Sequence, residues 1–207
     1  MPYLYSNVAG NRSHTYLLPV VADLLKNIPA GSKVLDLGCG NGAFLVRFSN
    51  RNWRLFGSDL SEEGISQAKS RQDGIQYFTA DTKHDTHEIY LEQCAGPVDV
   101  ILSTEVIEHV FEPRSFARLC YRLLRPGGIL VISTPYHGYA KNLALALTGA
   151  MDSHFTALWD DGHIKFWSRK TLGVLLEEAG FRNLQFRGAG RIPYLWKSMV
   201  MAAEKPA

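Results

Sequence analysis

The amino-acid sequence predicts an α/β fold, in which helices cover both faces of a mostly parallel β-sheet. Short runs of apolar and β-branched residues alternate along the chain with stretches that have helical spacing, as expected of a doubly wound sheet. The apolar runs are continuous, which is typical of strands that are buried on both faces. A chain of 207 residues is long enough for one such domain and short for two, so we expect a single domain over 1–207.

The parallel strands are predicted over 33–37, 53–57, 75–78, 98–102 and 129–133. Helices are predicted between them over 61–71 and 115–124. The first of these helices begins at Ser61, whose hydroxyl suits an N-cap, and acidic residues follow it where the helix dipole favours them. The second is predicted to end at an Arg-Pro-Gly-Gly sequence at 125–128, which turns the chain into the next strand.

The C-terminal part of the chain is predicted to finish the sheet with a different kind of pairing. A helix over 168–179, closed by Gly180, is followed by strands over 183–187 and 196–202. The connection between these strands is too short for a parallel crossover, so we expect them to pair antiparallel. The prediction is therefore a mostly parallel sheet with an antiparallel C-terminal end.

Two further segments are expected to cover a ligand. The stretch 12–28 is predicted to form an N-terminal helix over it, with Arg12, His14 and Tyr16 within reach. The long insertion over 135–167 is rich in aromatic residues and histidines. It follows the carboxyl end of a strand, where open α/β sheets place their ligands. We interpret this insertion as a lid over a substrate.

The composition excludes some functional classes. Lysine and arginine outnumber aspartate and glutamate by only 22 to 20, which gives no basic excess for a nucleic-acid partner. The three cysteines are too few and too scattered for a disulfide framework or a zinc site, and they favour a reduced, cytoplasmic compartment. We expect no signal peptide, because the first residues lack a basic head followed by an apolar block. No apolar stretch approaches the roughly 20 residues that a transmembrane helix needs.

A glycine-rich sequence stands where the first strand should meet the first helix. Asp36 lies inside the strand, and Gly38, Gly40 and Gly42 follow it. Glycines at such a turn let the backbone approach a ligand closely and adopt a positive φ. The spacing also satisfies a relaxed dinucleotide fingerprint, with Asp59 about 20 residues further on, so a nicotinamide nucleotide is an alternative at this point.

Two carboxylates favour S-adenosylmethionine (SAM) over a dinucleotide. Asp36, just before the glycines, would repel a pyrophosphate but attract a ligand that carries an ammonium and a sulfonium group. Asp81 follows the third strand, in position to accept a hydrogen bond from the exocyclic amine of adenine. The alternative for both residues is that they only cap loops.

Together with the Arg-Pro-Gly-Gly sequence, these residues resemble successive motifs of the class I SAM-dependent methyltransferases, over roughly 30–134. The resemblance implies a Rossmann-like seven-stranded sheet with an antiparallel C-terminal strand. It also implies that Gly38 and Gly40 line the methionine moiety and that Asp59 bonds the ribose hydroxyls. Asp81 would then contact adenine, and Thr104 would lie beside the sulfonium. The implied cofactor site consists of Asp36, Gly38, Gly40, Asp59, Leu60, Asp81 and Thr104.

A Glu-x-x-Glu-His sequence follows the fourth strand, with Glu105, Glu108 and His109 as potential metal ligands. If the segment is helical, the two carboxylates share a face beside the imidazole, a set that suits Mg²⁺ or another divalent ion such as Mn²⁺ or Zn²⁺. The sequence resembles ubiquinone-biosynthesis type O-methyltransferases, in which this motif is linked to magnesium. A metal here would lower the pKa of an acceptor hydroxyl. Two alternatives stay open: His109 acts as a general base without a metal, or the residues only cap and pack a helix start.

His163 is the second candidate base. It stands at 162–166 in a sequence similar to a Gly-x-His-x-x-Lys-Phe stretch of the same enzymes, but the preceding residues and the loop length differ. His84 and His87, in the loop after the third strand, are interpreted as solvated polar residues.

The predicted reaction is in-line transfer of a methyl group from SAM to an oxygen of a small acceptor. The aromatic residues of the lid suit a planar or lipophilic acceptor, because a desolvated site favours transfer from a cationic sulfonium. The alternatives are C- or N-methylation and a SAM-binding module without catalysis. The signature of amino methylation is missing, since Ser-Thr-Glu-Val stands in its place at 103–106.

Overall fold

The computed structural model of the protein describes residues 13–82, 86–155, 157–160 and 162–207. The β-strands are β1 (Lys33–Leu37), β2 (Arg54–Asp59), β3 (Gln76–Thr79), β4 (Val98–Thr104), β5 (Leu124–Pro135), β6 (Arg182–Ala189) and β7 (Ser198–Glu204). The α-helices are α1 (His14–Leu24), α2 (Glu62–Lys69), α3 (His87–Gln93), α4 (Pro113–Leu123), α5 (Tyr139–Leu147), α6 (Met151–Phe155) and α7 (Arg169–Glu178). Short 3-10 helices lie after β1 and β4, at Leu45–Arg51 and Ile107–His109.

The strands form a seven-stranded sheet in the order β3-β2-β1-β4-β5-β7-β6. Strands β1 to β5 are parallel, whereas β7 runs antiparallel to both β5 and β6. This arrangement confirms the predicted mostly parallel sheet with an antiparallel C-terminal end. Strands β2 and β3 are added on one side of β1, and β4 and β5 on its other side, so the strand order reverses between β1 and β4. The carboxyl ends of these two neighbours therefore border the crevice in which open α/β sheets bind ligands.

Helices pack against both faces of the sheet, as predicted. Helices α1 and α2 and the 3-10 helix after β1 share one core, to which Val34 and Val100 contribute from the sheet. Helices α3, α4 and α7 share the other, to which Leu35 and Ile101 contribute. Because successive side chains of a strand point to opposite faces, each central strand must be largely apolar on both faces. That requirement explains why these strands are continuous apolar runs in the sequence.

The helix ends follow local sequence signals. The Ser61 hydroxyl accepts a hydrogen bond from the backbone N–H of Gly64 at 3.1 Å, which is the predicted N-cap of α2. Ser168 caps α7 in the same way and forms a reciprocal capping box with Thr171. At the other end of α7, Gly180 has a φ of 106°, and this left-handed conformation ends the helix as predicted.

The structure corrects three predicted boundaries. Strand β5 begins at Leu124 rather than at 129, so the Arg-Pro-Gly-Gly sequence lies inside the strand and not in a turn. The reason is tertiary, since Leu124 pairs with Val98 and the Gly127 N–H donates to the Lys205 carbonyl at 2.9 Å. Helix α1 ends at Leu24 instead of 28, and helix α4 begins at Pro113 instead of 115.

Among the residues that the structure describes, no helix is both long enough and apolar enough to cross a membrane.

Candidate functional site

The glycine-rich loop after β1 has the backbone conformation that its sequence predicts. Gly38, Gly40 and Gly42 have φ values of 85°, 54° and 74°, a region that side chains with a Cβ rarely adopt. A Cβ on Gly42 would lie 2.6 Å from the hydroxyl oxygen of Tyr77, which is closer than any real contact. The loop is therefore compact because it lacks side chains at these three positions, and Gly40 and Gly42 are buried.

Asp59, the last residue of β2, ties this loop to the next one. One of its carboxylate oxygens accepts the Gly40 N–H and the other accepts the Ser61 N–H, both at 2.8 Å. Burial nevertheless raises the pKa of this carboxyl, and these backbone hydrogen bonds oppose that effect only in part. Each oxygen retains a second lone pair for a ligand hydroxyl. Leu60, which follows, is 45% exposed and leaves room beside the carboxylate.

Asp36 is the most unusual polar group of the site. It is fully buried within β1, and neither of its carboxylate oxygens has a hydrogen-bond partner among the described residues. Burial, together with the nearby Asp59, raises the pKa of Asp36 to about 7. A buried carboxylate without a partner costs several kcal/mol, on the order of the penalty for an unpaired buried charge. Such a group fits a cationic ligand, and the SAM ammonium and sulfonium supply that charge.

Asp81 and Thr104 lie at the carboxyl ends of two parallel strands, β3 at the edge of the sheet and β4 in its centre. Asp81 comes two residues after β3 and is half-buried, and its backbone carbonyl accepts the Thr86 hydroxyl at 2.6 Å. Thr104 is the half-buried last residue of β4 and pairs with Ser133 of β5. All the predicted cofactor residues thus lie on or directly after β1 to β4, at one edge of the sheet.

The Glu-x-x-Glu-His segment departs from the helical arrangement that was expected. Glu105 lies outside the helix with a φ of 56°, and the helix that follows it is a single 3-10 turn over Ile107–His109. The Glu105 carboxylate accepts hydrogen bonds from the Ser133 and Ser198 hydroxyls, at 2.9 and 3.1 Å. Glu105 therefore belongs to a hydroxyl network on β5 and β7, and it is not a member of the metal-binding group.

Glu108, His109 and His163 lie together instead. Each of them places one ligand atom within 4.8 Å of those of the other two. The His109 and His163 ring centroids are 5.0 Å apart, and the Glu108 Oε1 lies 4.0 Å from the His163 Nε2. Two predicted catalytic residues and one predicted metal ligand thus meet, although His163 is more than 50 residues away in the sequence.

Backbone contacts hold the lid against this cluster. The Glu108 carbonyl accepts the N–H groups of Ile164 and Lys165, at 2.9 and 3.0 Å. The His109 Nδ1 lies 3.2 Å from the Gly162 carbonyl. These contacts fix the position of His163 relative to the end of β4. The cluster is therefore formed by the folding of the lid onto the 3-10 turn.

Burial decides the protonation states in the cluster. The Glu108 side chain is 1% exposed, and burial together with Glu105 raises its pKa well above the usual range. Burial and the neighbouring His109 lower the pKa of His163 to about 4. His163 is therefore neutral at pH 7, as a general base or a metal ligand must be. One Glu108 oxygen accepts the Thr134 hydroxyl at 2.9 Å, and the other has no hydrogen-bond partner among the described residues.

Aromatic rings surround the imidazoles of the lid. The Trp159 ring lies 5.4 Å from His163, between ring centroids. The His137 ring lies 5.6 Å from the stacked Phe155 ring and 5.1 Å from Phe166. Tyr136 and Trp167, by contrast, belong to the core. Trp159 therefore borders His109 and His163, whereas Phe155 and Phe166 pack around His137.

The other histidines and the N-terminal residues are distributed as follows. His87 lies on α3, with its Nε2 2.7 Å from the Arg122 guanidinium. It is not part of the cluster of Glu108, His109 and His163. The His14 ring packs edge-on against Phe44 at 5.1 Å. The Tyr16 hydroxyl lies 3.3 Å from the Ser198 hydroxyl. His84 and Arg12 lie outside the described residues.

The structure also brings residues to this edge that the sequence did not indicate. Ser133 and Ser198 hold Glu105, and Lys141, on α5, is buried with its ammonium donating to the Tyr136 carbonyl at 2.7 Å. A serine in a strand and a lysine in a helix are common, so neither carries a signal by itself. The one sequence signal was that Lys141 is the charged residue in an otherwise apolar stretch, Tyr-Ala-Lys-Asn-Leu-Ala-Leu-Ala-Leu.

Comparison with known proteins places this site in a family. The family model described as "Methyltransferase domain" matches residues 9–186. The chain is 30% identical over 204 residues to the ubiquinone biosynthesis O-methyltransferase of Ruegeria sp. (strain TM1040). This alignment covers 95% of this chain and 76% of that protein. The chain is 36% identical over 120 residues to the enzyme of the same name from Maricaulis maris, covering 58% and 46% of the two chains. The chain thus spans three quarters of one relative and about half of the other.

A solved structure shares the fold at lower identity. The magnesium protoporphyrin IX methyltransferase of Synechocystis, determined with bound S-adenosylhomocysteine, superposes with a TM-score of 0.66 at 17% identity. The superposition covers 91% of this chain and 82% of that one. At this identity the likeness concerns the fold alone.

Proposed function

The chain belongs to the family of SAM-dependent methyltransferases, and on that premise we propose that it transfers a methyl group from SAM to an oxygen of a small-molecule acceptor. The observation that carries the proposal is the position of Asp36 and of the Glu108, His109 and His163 cluster. The first is a buried carboxylate for which the described residues offer no hydrogen-bond partner, and the glycine loop begins after it. The second lies at the carboxyl end of β4 under the lid. In this proposal the cationic donor and the proton acceptor meet at the same edge of the sheet.

In this proposal the cofactor occupies the crevice between β1 and β4. Asp36 faces its positive charge, and Gly38 and Gly40 let the backbone approach the methionine moiety. Asp59 binds the ribose hydroxyls, with Leu60 beside it. Asp81 contacts the adenine amine, and Thr104 lies beside the sulfonium. SAM supplies the methyl group, already activated on its sulfonium, so the chain itself has to position the acceptor and remove one proton.

His109 and His163 are the groups proposed to remove that proton. His163 is neutral at pH 7, since its pKa is lowered to about 4, and a neutral imidazole accepts a proton from a hydroxyl. Its location between Trp159 and His109 holds it in a fixed orientation. Transfer of the proton leaves an acceptor oxygen that attacks the methyl carbon in line with the departing sulfur. The aromatic border of the lid favours a planar or lipophilic acceptor, because it keeps water from the reacting oxygen.

A divalent ion is a second way in which the same residues would serve this reaction. The donor set consists of one carboxylate and two imidazoles, from Glu108, His109 and His163. Imidazole nitrogens suit Zn²⁺ or Mn²⁺ better than Mg²⁺, which prefers oxygen ligands. When bound, such an ion would lower the pKa of an acceptor hydroxyl. Glu105 is not part of this set, because Ser133 and Ser198 already occupy its carboxylate.

The oxygen acceptor is favoured by the names of the relatives, which are O-methyltransferases. C- or N-methylation and SAM binding without catalysis are the competing functions. C- or N-methylation predicts a product methylated on carbon or nitrogen. SAM binding without catalysis predicts no turnover with any acceptor.

The first experiment is a calorimetric titration of the protein with SAM, S-adenosylhomocysteine and NAD. We expect micromolar binding of both SAM and S-adenosylhomocysteine and none of NAD. Asp36→Asn should weaken SAM binding, whereas Asp152→Asn, a matched change on helix α6, should leave it unchanged. Formation of S-adenosylhomocysteine from SAM is then measured with phenols and catechols, with and without Zn²⁺, Mn²⁺ or Mg²⁺. Binding of NAD without binding of SAM would contradict the proposal.

A further inference from the structure

Lys141, on helix α5 of the lid, has an environment that is rare for a lysine. The residue is only 6% exposed, although lysine side chains are almost never buried unless they are paired with an acid. Its ammonium group donates one hydrogen bond, at 2.7 Å, to the backbone carbonyl of Tyr136. An ammonium has three N–H donors. In the described part of the chain, no other atom accepts a hydrogen bond from this group.

The charge of Lys141 is also unpaired. No carboxylate of the described residues lies within the 4.0 Å of an ion pair with its Nζ. Glu105 is the acid that favours the charged form, but its oxygens accept from Ser133 and Ser198. A buried ammonium without a counter-ion costs several kcal/mol in a dry site. Within the described residues, the lid thus holds a cation without the anion that would normally accompany it.

A second positive charge acts on the same position. Burial and the nearby Arg191 lower the pKa of Lys141 to about 8, against the effect of Glu105. The charges of Lys141 and Arg191 therefore give this part of the lid a positive potential. Such a region attracts an anionic group of a ligand.

We propose that Lys141 binds a carboxylate on the methyl acceptor, so that the enzyme selects acceptors that carry an acidic substituent. The Lys141 ammonium offers its two remaining N–H donors to the carboxylate from inside the lid. The Glu108, His109 and His163 cluster is a separate group that receives the acceptor hydroxyl. The two contacts together orient an aromatic acid with its hydroxyl toward the cofactor. This inference rests on the methyl transfer proposed above.

The test compares two catechols that differ only in charge, 3,4-dihydroxybenzoate and 3,4-dihydroxybenzamide. Their binding to the protein saturated with S-adenosylhomocysteine is measured by calorimetry at pH 7. We expect the acid to bind at least tenfold more tightly than the amide, since a hydrogen bond between two charged groups is stronger than one to a neutral amide. Lys141→Met should reduce the preference to less than twofold, and Lys141→Arg should retain most of it. Lys170→Met, on the exposed start of α7, is the matched control and should keep the full preference.

Several results would overturn the inference. The wild-type protein binds the two compounds equally or binds neither, or Lys141→Met retains the preference for the acid. A purely structural role for Lys141 predicts a lower melting temperature for Lys141→Met, with the ratio of acid to amide affinity unchanged. Binding of S-adenosylhomocysteine to each variant shows that the fold is intact.

Methylation assays separate this inference from the proposed function. If both compounds bind equally and are methylated, methyl transfer stands and the role of Lys141 is wrong. If the acid binds through Lys141 but is not methylated in the presence of SAM, the anion site stands and oxygen methylation of this class of acceptor is wrong.

Discussion

The Tyr16 hydroxyl lies 3.3 Å from the hydroxyl of Ser198, which itself donates a hydrogen bond of 3.1 Å to the Glu105 carboxylate. Tyr16 is on helix α1, Ser198 begins strand β7 and Glu105 follows strand β4. The N-terminal helix is thereby connected to the edge of the sheet where the cofactor and the acceptor are proposed to meet.

Replacement of Tyr16 by phenylalanine should cost stability through this connection. The Tyr16→Phe change removes one hydroxyl and leaves the packing of the ring, so we expect the free energy of unfolding to fall by about 1 kcal/mol. The free energy of unfolding is measured by urea unfolding, followed by circular dichroism. Tyr139→Phe is the matched control, since the Tyr139 side chain is 85% exposed and should contribute nothing. Equal effects of the two changes would show that the Tyr16 hydroxyl contributes nothing to stability.

The affinity for SAM should rise with pH through about pH 7. Asp36 has a pKa of about 7 in the folded chain, and a cationic ligand binds its charged form best. The affinity should therefore be lower at pH 5.5 than at pH 8, by up to tenfold for each pH unit below 7. In Asp36→Asn this dependence on pH should disappear. The affinity for SAM is measured by calorimetry at four pH values. The same pH dependence in Asp36→Asn as in the wild type would contradict the role of Asp36.

The stability of the ligand-free protein should depend on pH in the opposite direction. Asp36 holds its proton up to about pH 7 in the folded chain but loses it near its ordinary value of 3.8 when unfolded. Between these values the folded state binds more protons, so the free energy of unfolding falls as the pH rises. The slope from this group is at most about 1.4 kcal/mol per pH unit. Urea unfolding of the wild type and of Asp36→Asn at pH 5 and pH 7 should show a smaller fall in the variant.

Replacement of His163 by glutamine should reduce turnover without preventing SAM binding. Loss of a general base typically lowers the rate by 10²–10⁴-fold, and we expect His163→Gln to fall in that range. Because the pKa of His163 is about 4, its protonation should not reduce the rate between pH 6 and pH 8. His87→Gln, on helix α3, is the control and should retain full activity. A His163→Gln enzyme with wild-type kcat would exclude His163 as the base.

The glycine loop should tolerate a methyl group poorly for two separable reasons. Gly42→Ala combines a φ of 74° with a Cβ only 2.6 Å from the Tyr77 hydroxyl. Gly31→Ala has a similar φ of 81° but no atom within 4 Å of the added Cβ. We expect Gly31→Ala to cost about 1–2 kcal/mol through backbone conformation alone. Gly42→Ala should cost about 1–3 kcal/mol more, because the loop must shift away from the ring. Equal losses of stability in the two variants would show that the steric contact is relieved without cost.

Much of the fold could be predicted from local patterns. Continuous apolar runs identified the strands because a strand buried on both faces has to be largely apolar on both. The short connection between the last two strands required antiparallel pairing, and the structure confirms it. Boundaries were less certain where the partner strand decides them. Strand β5 starts five residues earlier than predicted because Leu124 pairs with Val98, a contact that no local signal encodes.

In the candidate site, too, local features could be predicted from the sequence, whereas contacts between distant segments could not. The sequence by itself determined the glycine loop and Asp36, since these features depend on neighbours along the chain and on the charge of the ligand. Only the tertiary structure decided which acidic residue stands beside the imidazoles. The Glu-x-x-Glu-His pattern treats Glu105 and Glu108 alike, yet the left-handed φ of Glu105 directs it to Ser133 and Ser198.

Contacts between distant segments account for the rest. His163 reaches Glu108 only because the lid folds onto the 3-10 turn through two backbone hydrogen bonds. Lys141 is buried although most of α5 is exposed, and its ammonium donates to the Tyr136 carbonyl. A single lysine in a helix does not predict this. The sequence therefore determined the fold class and the family, because both are written in local patterns. The partners of each titratable group were decided by tertiary structure, because burial and charge depend on segments that meet only in the folded chain.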